Sequence, residues 1–423
     1  MPVEPEVAVS YDELQSLPAL FRAGSGGPGP GTRWQALRAL LQATEVALLN
    51  LEELAAEATV RLRQGRGAEA VRSLEWMVGF GRAWSELAWL VRDLAPVDED
   101  GGGHLLAVTA SPSWHRLTLA EKELALELKP LADHPEPCEW KRRLLRYVML
   151  QRIGVEYTCV GGAPSAYEDF VRPDAIREAV REKRLPGENL FTPFRAAHQM
   201  PELLARAAND HIGRAVEEIE GGRADRALPL LGRADRLLDA VVRLTDLLVD
   251  RLTTDEYHAI RKALGRTSGS HSVGLHYDLM RDLYPALARA SQHRDEEIGL
   301  LARTIGLHID RWRLAHVDLP RTNLGGAGTG TRSLTGSPDA LRTVARMRET
   351  GRERDPYAHT GRTFCATDWD SDVPPLAEIE RRLLGGIAGH TQERFQDVQE
   401  RTGRYAGPSG FAPPPKRCPA RPT

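Results

Sequence analysis

Histidines and aromatic residues stand at helical spacing in two stretches of this chain. Trp312 and His316 are four residues apart, as are Phe194 and His198, so each pair would lie on one helix face. A neutral imidazole is the usual axial ligand of haem iron where oxygen must bind on the other side. An aromatic ring beside a histidine also makes a suitable wall for an aromatic ligand. Each pair alone is equally typical of an ordinary helix core.

Two other segments carry residues suited to ligand binding. A predicted turn at Ser268 and Gly269 leads into a predicted helix that bears His271 and His276. A loop rich in Gly, Thr and Ser follows the helix of His316 and could bring backbone N–H groups close to a ligand. Its central residues are Gly328, Thr329 and Gly330. Taken singly, these histidines could be structural and the loop could be a simple turn.

Helices must position these residues. Apolar residues recur at three- and four-residue spacing through about the first 350 residues, as in ALPLLGRADRLLDAVVRLTDLLVDRL, which predicts an all-α protein. Breaks rich in Gly and Pro at 23–31, 95–103 and 161–164 separate the helical runs. One further amphipathic helix is predicted at 374–402, and a flexible tail beyond about 403.

Composition excludes several classes of protein. The 423 residues include 41% hydrophobic and 27% charged residues, the balance of a globular chain. A net charge of -3 argues against a nucleic-acid surface, and no apolar run approaches the roughly 18 residues that span a membrane. We therefore expect a cytoplasmic protein that binds neither nucleic acid nor membrane. The cysteines, Cys138, Cys159, Cys365 and Cys418, lack the close spacing of a zinc site and are interpreted as reduced structural thiols.

The sequence also contains a long internal repeat. Sliding the chain on itself by 157 residues aligns LQATEVALLNL with HQMPELLARAA, and LRQGRGAEAVRSL with IEGGRADRALPLL. The identities include Gln42 with Gln199, Glu45 with Glu202, Gly65 with Gly222, Leu74 with Leu231 and Asp93 with Asp250. We infer an internal duplication whose halves would pack as a pseudo-dimer. Chance similarity between helices rich in Leu and Ala is the alternative.

Taken in order, the segments over about 190–345 resemble the tryptophan 2,3-dioxygenase family. The family's distal helix has Phe-x-x-x-His-Gln-x-x-Glu-Leu, matched by Phe194, His198, Gln199, Glu202 and Leu203. Its Leu-Thr-x-x-Glu-Tyr segment is matched by Leu252, Thr253, Glu256 and Tyr257, and its Ser-Gly turn in part by Ser268, Gly269 and Ser272. Its Trp-Arg-x-x-His helix and glycine loop are matched by Trp312, Arg313, His316, Gly328, Thr329, Gly330 and Ser333.

The resemblance implies a fold, a cofactor and residue roles. The fold would be a helical bundle of the tryptophan/indoleamine dioxygenase type, and the cofactor haem b. His316 would coordinate the iron, with Trp312 and Arg313 beside it on the proximal helix. His198 would face the distal pocket and hydrogen-bond the ring N–H of an indole-like substrate, against whose ring Phe194 would pack. In the loop, Thr329, flanked by Gly328 and Gly330, would contact the substrate's amino group.

One departure from the family bears on the substrate. His276 stands where the family has an Arg that grips the amino-acid carboxylate. A histidine is a smaller donor and is only partly protonated at neutral pH, so a two-pronged carboxylate clamp is lost. Arg281 could reach in instead, but a modified indole or phenol is the simpler inference. His271 replaces a Gln of the family and is either a polar residue beside the pocket or a group for proton transfer or iron binding.

The repeat and the resemblance together predict three regions. Residues 1–165 would be a dioxygenase-like half without haem ligands. The shift of 157 puts Leu41 over His198, and WKRRLLRYVMLQRIG (140–154), aligned with WRLAHVDLPRTNLGG (312–326) by admitting extra residues in the second copy, puts Leu144 over His316. Residues 166–350 would be the haem-binding catalytic half, and 351–423 a C-terminal extension. The first half could replace a partner subunit and contribute a wall of the active site. Assembly of the chain as a homodimer is also compatible with this organisation.

The predicted activity is oxygen transfer from dioxygen to an indole or related aromatic compound by a haem-dependent oxygenase of specialised metabolism. The protein would position substrate and oxygen, and the cofactor would supply the redox chemistry. Ring cleavage with both oxygen atoms is the first interpretation. Monooxygenation of an indole or phenol is the second, and a haem sensor or carrier without catalysis is a third. A helical protein whose histidines bind nothing is the structural alternative.

Overall fold

The computed structural model describes residues 16–24, 32–94, 104–106, 108–128, 143–144, 146–151, 154–155, 158, 160–163, 167–181, 191–264, 286 and 295–324. The chain divides into a compact unit at Met1–Pro356 and a second unit at Tyr357–Thr423. All described residues belong to the first unit. The predicted helix at 374–402 and the tail beyond it therefore lie outside the described residues.

Helices make up nearly all of the described chain, which confirms the predicted all-α class. In chain order they are α1 Leu17–Gly24, α2 Thr32–Arg63, α3 Gly67–Leu94, α4 Pro112–Leu128, α5 Tyr167–Val171, α6 Pro173–Arg181, α7 Phe191–Glu220, α8 Ala224–Arg251, α9 Thr254–Leu264 and α10 Glu296–Leu324. A further helical segment covers 146–151.

A short sheet adds to the predicted helices. Strand β1, His104–Leu106, pairs antiparallel with β2, Val160–Ala163, so that His104 faces Ala163 and Leu106 faces Val160. The register shifts between His104 and Leu106. Of the predicted Gly/Pro-rich breaks, 161–164 is thus largely a strand, and 95–103 comes directly before one.

The first long helix hairpin turns at Gly65. Helices α2 and α3 are joined there by a left-handed residue, with φ of 72°. The N–H of Arg66 donates to the carbonyl of Arg61 at 2.8 Å, and the N–H of Gly65 donates to that of Leu62 at 2.9 Å. This bond pair is a Schellman cap, which needs a left-handed residue and therefore favours glycine.

The second hairpin repeats this turn 157 residues later. Gly222 between α7 and α8 has φ of 71°. The N–H of Arg223 donates to Glu218 at 2.8 Å, and that of Gly222 to Ile219 at 3.0 Å. Helix α3, Gly67–Leu94, and helix α8, Ala224–Arg251, also begin and end at positions related by the same shift.

Short helices precede both hairpins in the same way. Helix α1 starts directly after Ser16, whose φ is 55°, and helix α6 starts directly after Arg172, whose φ is 61°. A positive φ is uncommon for residues with a side chain, so its occurrence just before both helices is specific. Helices α1, α2 and α3 therefore have counterparts in α6, α7 and α8 in the same order.

The core of the bundle lies between the two hairpins. Helices α2, α3, α7 and α8 pack together, α4 lies against α2, and α10 lies against α8. Fully buried leucines line this core, among them Leu37, Leu40, Leu41, Leu231 and Leu237. Each buried leucine contributes roughly 1.5–3 kcal/mol of hydrophobic free energy, so the packing of these amphipathic faces stabilises the bundle.

Two arginine contacts link the hairpins reciprocally. Arg38 on α2 donates from Nε to the carbonyl of Phe170, just before α6, at 3.1 Å. Arg195 on α7 donates from Nη2 to Oγ of Ser16, just before α1, at 2.9 Å. Helix α2 is thus anchored to the segment just before α6, and helix α7 to the segment just before α1.

Charged residues interrupt the apolar stretches of the described helices. Among the described residues, no helix combines the length and apolar character needed to cross a membrane.

Candidate functional site

Phe194 and His198 form one contact on the first turns of α7. Their ring centroids lie 4.1 Å apart with the ring planes 43° from each other. Nδ1 of His198 lies 2.7 Å from the backbone carbonyl of Phe194. Because a carbonyl oxygen can only accept, Nδ1 carries the proton in this contact. Phe194 and His198 therefore lie on one face of α7, as their spacing predicted.

His198 is neutral in this environment. Burial lowers the pKa of its imidazole to about 4, and the hydrogen bond to the Phe194 carbonyl opposes this shift only in part. With the proton on Nδ1, the Nε2 atom of the neutral ring has a lone pair and accepts hydrogen bonds. The side chain can therefore accept from an N–H group at neutral pH.

Buried polar groups continue along α7 beyond His198. Gln199 is fully buried, and Glu202, one turn after His198, is 1% exposed. Pro201 lies inside the helix, so the carbonyl of Ala197 lacks the usual hydrogen bond from the residue four positions later. Buried carboxyl and amide groups beside an aromatic and a histidine make this end of α7 more polar than the core around it.

The segment predicted to carry the iron ligand lies on helix α10. Trp312 and Ala315 are each 5% exposed, so the side of α10 on which they lie is buried. Position 316 is one turn beyond Trp312 on a continuous helix that runs to Leu324. The side chains of Arg313 and His316 lie outside the described residues.

Packing of α10 on α8 determines which end of the bundle carries position 316. His308 contacts Asp235, and Arg311 contacts Asp246 at 3.7 Å, so α10 and α8 run in the same direction. His198 precedes Gly222 by as many residues as Asp246 follows it. Because α7 and α8 form a hairpin that turns at Gly222, His198 and Asp246 lie at the same distance from the turn. Position 316, further along α10, therefore lies at the same end of the bundle as His198.

A buried polar contact on α10 was not predicted from the sequence. Nε2 of His308 lies 3.0 Å from Oδ1 of Asp235, and Nδ1 lies 3.8 Å from Oδ1 of Asp239. The side chains of His308 and Asp235 are 3% and 5% exposed. The available signal was the spacing of eight residues between His308 and His316, which places both on the face of Trp312.

Helix α9 begins at the predicted Leu-Thr-x-x-Glu-Tyr segment. Oε2 of Glu256 accepts hydrogen bonds from the N–H and the hydroxyl of Thr253, both at 2.9 Å, and the Thr253 hydroxyl accepts from the N–H of Glu256 at 3.3 Å. This is a capping box, which satisfies N–H groups at the helix start. The segment therefore has a structural role within the described chain.

Arg72 of α3 holds the same carboxylate from the other hairpin. Its Nε donates to Oε1 of Glu256 at 2.9 Å, and its Nη2 donates to Oε2 at 2.5 Å. Trp76 adds a hydrogen bond from Nε1 at 3.4 Å. Burial acts to raise the pKa of Glu256, but the hydrogen bonds from Arg72 and Thr253 and the charge of Arg72 outweigh it and lower the pKa.

The first helix hairpin has different residues at the aligned positions. Leu37 and Leu41, which the 157-residue shift puts over Phe194 and His198, are fully buried. Glu45, aligned with Glu202, is also buried, and its Oε1 accepts from the Tyr167 hydroxyl at 2.7 Å. Burial raises the pKa of Glu45 more than the hydrogen bond from Tyr167 lowers it. This face of α2 presents leucines where α7 presents an aromatic and a histidine.

Several predicted site residues are not among those that the structure describes. His271, His276, Gly328, Thr329 and Gly330 lie outside the described residues. Over the described ranges, no group of three or more His, Cys, Asp or Glu side chains could hold a metal ion. A haem site needs one axial side chain and not such a group.

Comparison with known proteins finds a partial similarity. Over 107 residues the chain is 29% identical to tryptophan 2,3-dioxygenase of Pseudomonas aeruginosa strain UCBPP-PA14, and equally to that of strain PAO1. The match covers 25% of this chain and 36% of either relative. The chain thus aligns with about a third of the length of the curated relatives it matches. No family model and no solved structure matches the chain.

Proposed function

We propose that the protein is a haem-dependent oxygenase that transfers oxygen from dioxygen to an indole or a related aromatic compound. The observation that carries the proposal is the neutral His198, with its proton on Nδ1, packed against the ring of Phe194. The partial similarity to tryptophan 2,3-dioxygenase supports the same activity.

The course of α10 supports a haem group at this end of the bundle. Position 316 lies on α10 beyond the buried Trp312, at the end of the bundle where α7 carries His198. His316 would hold the iron from the proximal side, and Trp312 and Arg313 would line the cofactor. When bound, haem b would supply the iron that activates dioxygen for transfer to the substrate.

The protein side chains would orient the substrate. Nε2 of His198 would accept the hydrogen bond of an indole N–H, and the ring of Phe194 would pack against the aromatic face. Because the pKa of His198 is lowered to about 4, the imidazole keeps this acceptor throughout the neutral range. An N–H or O–H donor on the substrate is therefore part of the recognition.

Substrate choice would depend on residues that lie outside the described ranges. His276 would meet the part of the substrate that a family Arg would grip, with His271 nearby and Thr329, Gly328 and Gly330 closing the pocket. Loss of the guanidinium fork favours an indole or phenol without a free carboxylate. Replacement of this Arg also favours the second candidate, aromatic monooxygenation.

The two helix sets support an internal pseudo-dimer. Matching left-handed turns at Gly65 and Gly222, and reciprocal anchoring by Arg38 and Arg195, are what two related halves exchanging contacts would show. We place the first half at residues 1–165 as a half without haem ligands, the catalytic half at 166–350, and an extension at 351–423. The first half would serve as a built-in partner subunit.

The test begins with an absorbance spectrum of the full chain purified with added haem. We expect a Soret band that disappears in His316→Ala and persists in His115→Ala, a control at an exposed position on α4. A haem-supplemented wild type without a Soret band would end the proposal. A Soret band without turnover of any substrate would indicate a sensor or carrier.

Product masses then identify the reaction. Ferrous protein and oxygen are incubated with a panel of indoles and tyrosines, and products are analysed by mass spectrometry. We expect a gain of two oxygen atoms on an indole, with weak or absent conversion of L-tryptophan to N-formylkynurenine. A gain of one oxygen atom, in reactions that include a two-electron reductant such as ascorbate to reduce the second oxygen atom to water, would assign the monooxygenase activity instead.

A further inference from the structure

Helix α10 contains a buried polar contact two turns before the proposed haem ligand. His308 and Asp235 lie 3.0 Å apart, with side chains only 3% and 5% exposed, and Asp239 stands 3.8 Å from the other ring nitrogen. Both aspartates come from one face of α8, four residues apart. The imidazole is thus held between two carboxylates on a single neighbouring helix.

The apolar contacts of α10 define its position less strictly. Ile298, Ala302, Ile305 and Ile309 are buried against the bundle, and hydrophobic contacts of this kind are non-directional, unlike a hydrogen bond. A shift of one residue moves a helix by about 1.5 Å and turns it by about 100°, which would leave His308 without its carboxylate. A buried polar group that loses its partner is costly, so this pair favours one register.

A continuous helix carries that register to the ligand position. His308, Trp312 and His316 occupy positions four residues apart on α10, so they share one face. The eight residues from His308 to His316 span roughly 12 Å of helix. Since α8 is also the hairpin partner of α7, the pair relates the helix of His316 to the helix of His198.

We propose that Asp235, acting through His308, is a positioning residue that sets the rotation and register of α10 and so the place of the His316 imidazole in the haem site. This inference rests on the proposed role of His316 as haem ligand. It adds a requirement that the family motifs do not contain, because Asp235 and His308 lie outside all of the matched segments.

The test uses the full chain and a variant that separates stability from positioning. Asp235→Val with His308→Leu replaces the polar pair by an apolar one, which often restores or raises stability. We expect wild-type thermal stability but at least a tenfold loss of haem affinity, with a shifted or split iron–histidine stretching band in the Raman spectrum of the ferrous protein. A purely structural pair would leave affinity and spectrum unchanged, and that result would overturn the inference.

Two single variants cover the case in which the apolar pair fails to fold. Asp235→Asn keeps an oxygen acceptor for His308 and should retain haem affinity and the Raman band, whereas Asp235→Ala should lose both. The matched control is Glu52→Ala, which removes a contact of Arg177 between α2 and α6. If Asp235→Ala binds haem no worse than Glu52→Ala at equal stability, the inference is wrong. Absence of haem binding in the wild type would instead overturn the proposed function together with this inference.

Discussion

Arg72 on α3 and Glu256 on α9, 184 residues apart, join the first helix hairpin to the helix that follows the second hairpin, through a two-pronged contact between guanidinium and carboxylate. The contact holds the start of α9 against α3, and the carboxylate also caps α9 through Thr253. One side chain of α3 therefore holds the carboxylate that caps α9. Its removal provides the first test of how these distant segments depend on each other.

Arg72→Ala should lower the free energy of unfolding by about 2 kcal/mol, between the values typical of exposed and of buried pairs. The lowered pKa of Glu256 means that its contribution is present above the ordinary carboxyl pKa and is lost as pH falls through the lowered one. The difference from wild type should therefore shrink in acid. Chemical denaturation at neutral pH and at about pH 3 measures both effects.

The matched control is Arg82→Ala on the same helix. Arg82 is 61% exposed and pairs with Glu86 at 3.1 Å within α3. An exposed pair of this kind should contribute less than about 0.5 kcal/mol. Equal losses for Arg72→Ala and Arg82→Ala would show that the contact of Arg72 with Glu256 contributes no more to the free energy of unfolding than an exposed pair does.

His198 should remain neutral well below the ordinary range of histidine. Its pKa is lowered to about 4, so between pH 6.5 and 4 the unfolded chain binds a proton that the folded chain does not. The free energy of unfolding should consequently fall with decreasing pH in this window, by up to about 1.4 kcal/mol per pH unit from this group. His198→Gln should remove that part of the slope.

An NMR titration of the histidines gives the direct measurement for this site. The imidazole signals that vanish in His198→Gln should stay unshifted down to about pH 5. His115→Gln, at an exposed position on α4, is the control and should leave the slope of stability with pH unchanged. Titration of the His198 signals near pH 6.5 would contradict the neutral form on which substrate recognition depends.

The two hairpin glycines should respond alike to substitution. Gly65 and Gly222 have φ of 72° and 71° with open space around each Cα, so an added Cβ meets strain and no clash. Gly65→Ala and Gly222→Ala should each lower the free energy of unfolding by about 1 kcal/mol. Urea denaturation of both variants measures the cost.

Gly232 supplies the opposite case on α8. It has no positive φ, and nothing lies within 4 Å of a built Cβ. Gly232→Ala should therefore raise the free energy of unfolding by roughly 0.5–1 kcal/mol, as expected for a helix interior. Destabilisation by Gly232→Ala would show that open space and backbone angle are not what decide these substitutions.

Glu45 should be dispensable as a charge. Burial raises its pKa, so its folded form favours the proton, and the stability that it contributes is lost as pH rises through that raised pKa. Glu45→Gln keeps an oxygen to accept from Tyr167 and should be neutral or stabilising at pH 8. Tyr167→Phe should cost about 1–2 kcal/mol, because the Glu45 carboxyl loses its hydrogen bond. Thermal melts of both variants at pH 5 and pH 8 test this, and a large loss in Glu45→Gln would contradict it.

The sequence alone was sufficient for features that depend on local periodicity. Helical spacing predicted the bundle, and it placed Phe194 and His198 on one face because residues four apart are neighbours on any α-helix. The shift of 157 residues aligned Gly65 with Gly222, and each is the left-handed residue of a hairpin turn. Such turns depend on backbone conformation at one residue, which glycine signals directly.

Tertiary structure alone decided the contacts between distant elements. No local pattern pairs His308 with Asp235, or Arg72 with Glu256, because these contacts depend on which helix faces meet after packing. The strand pair His104–Leu106 and Val160–Ala163 was missed for the same reason, since such short strands exist only through their distant partner. Sequence could propose His316 as a ligand, but the end of the bundle at which position 316 lies follows from the direction of α10 along α8.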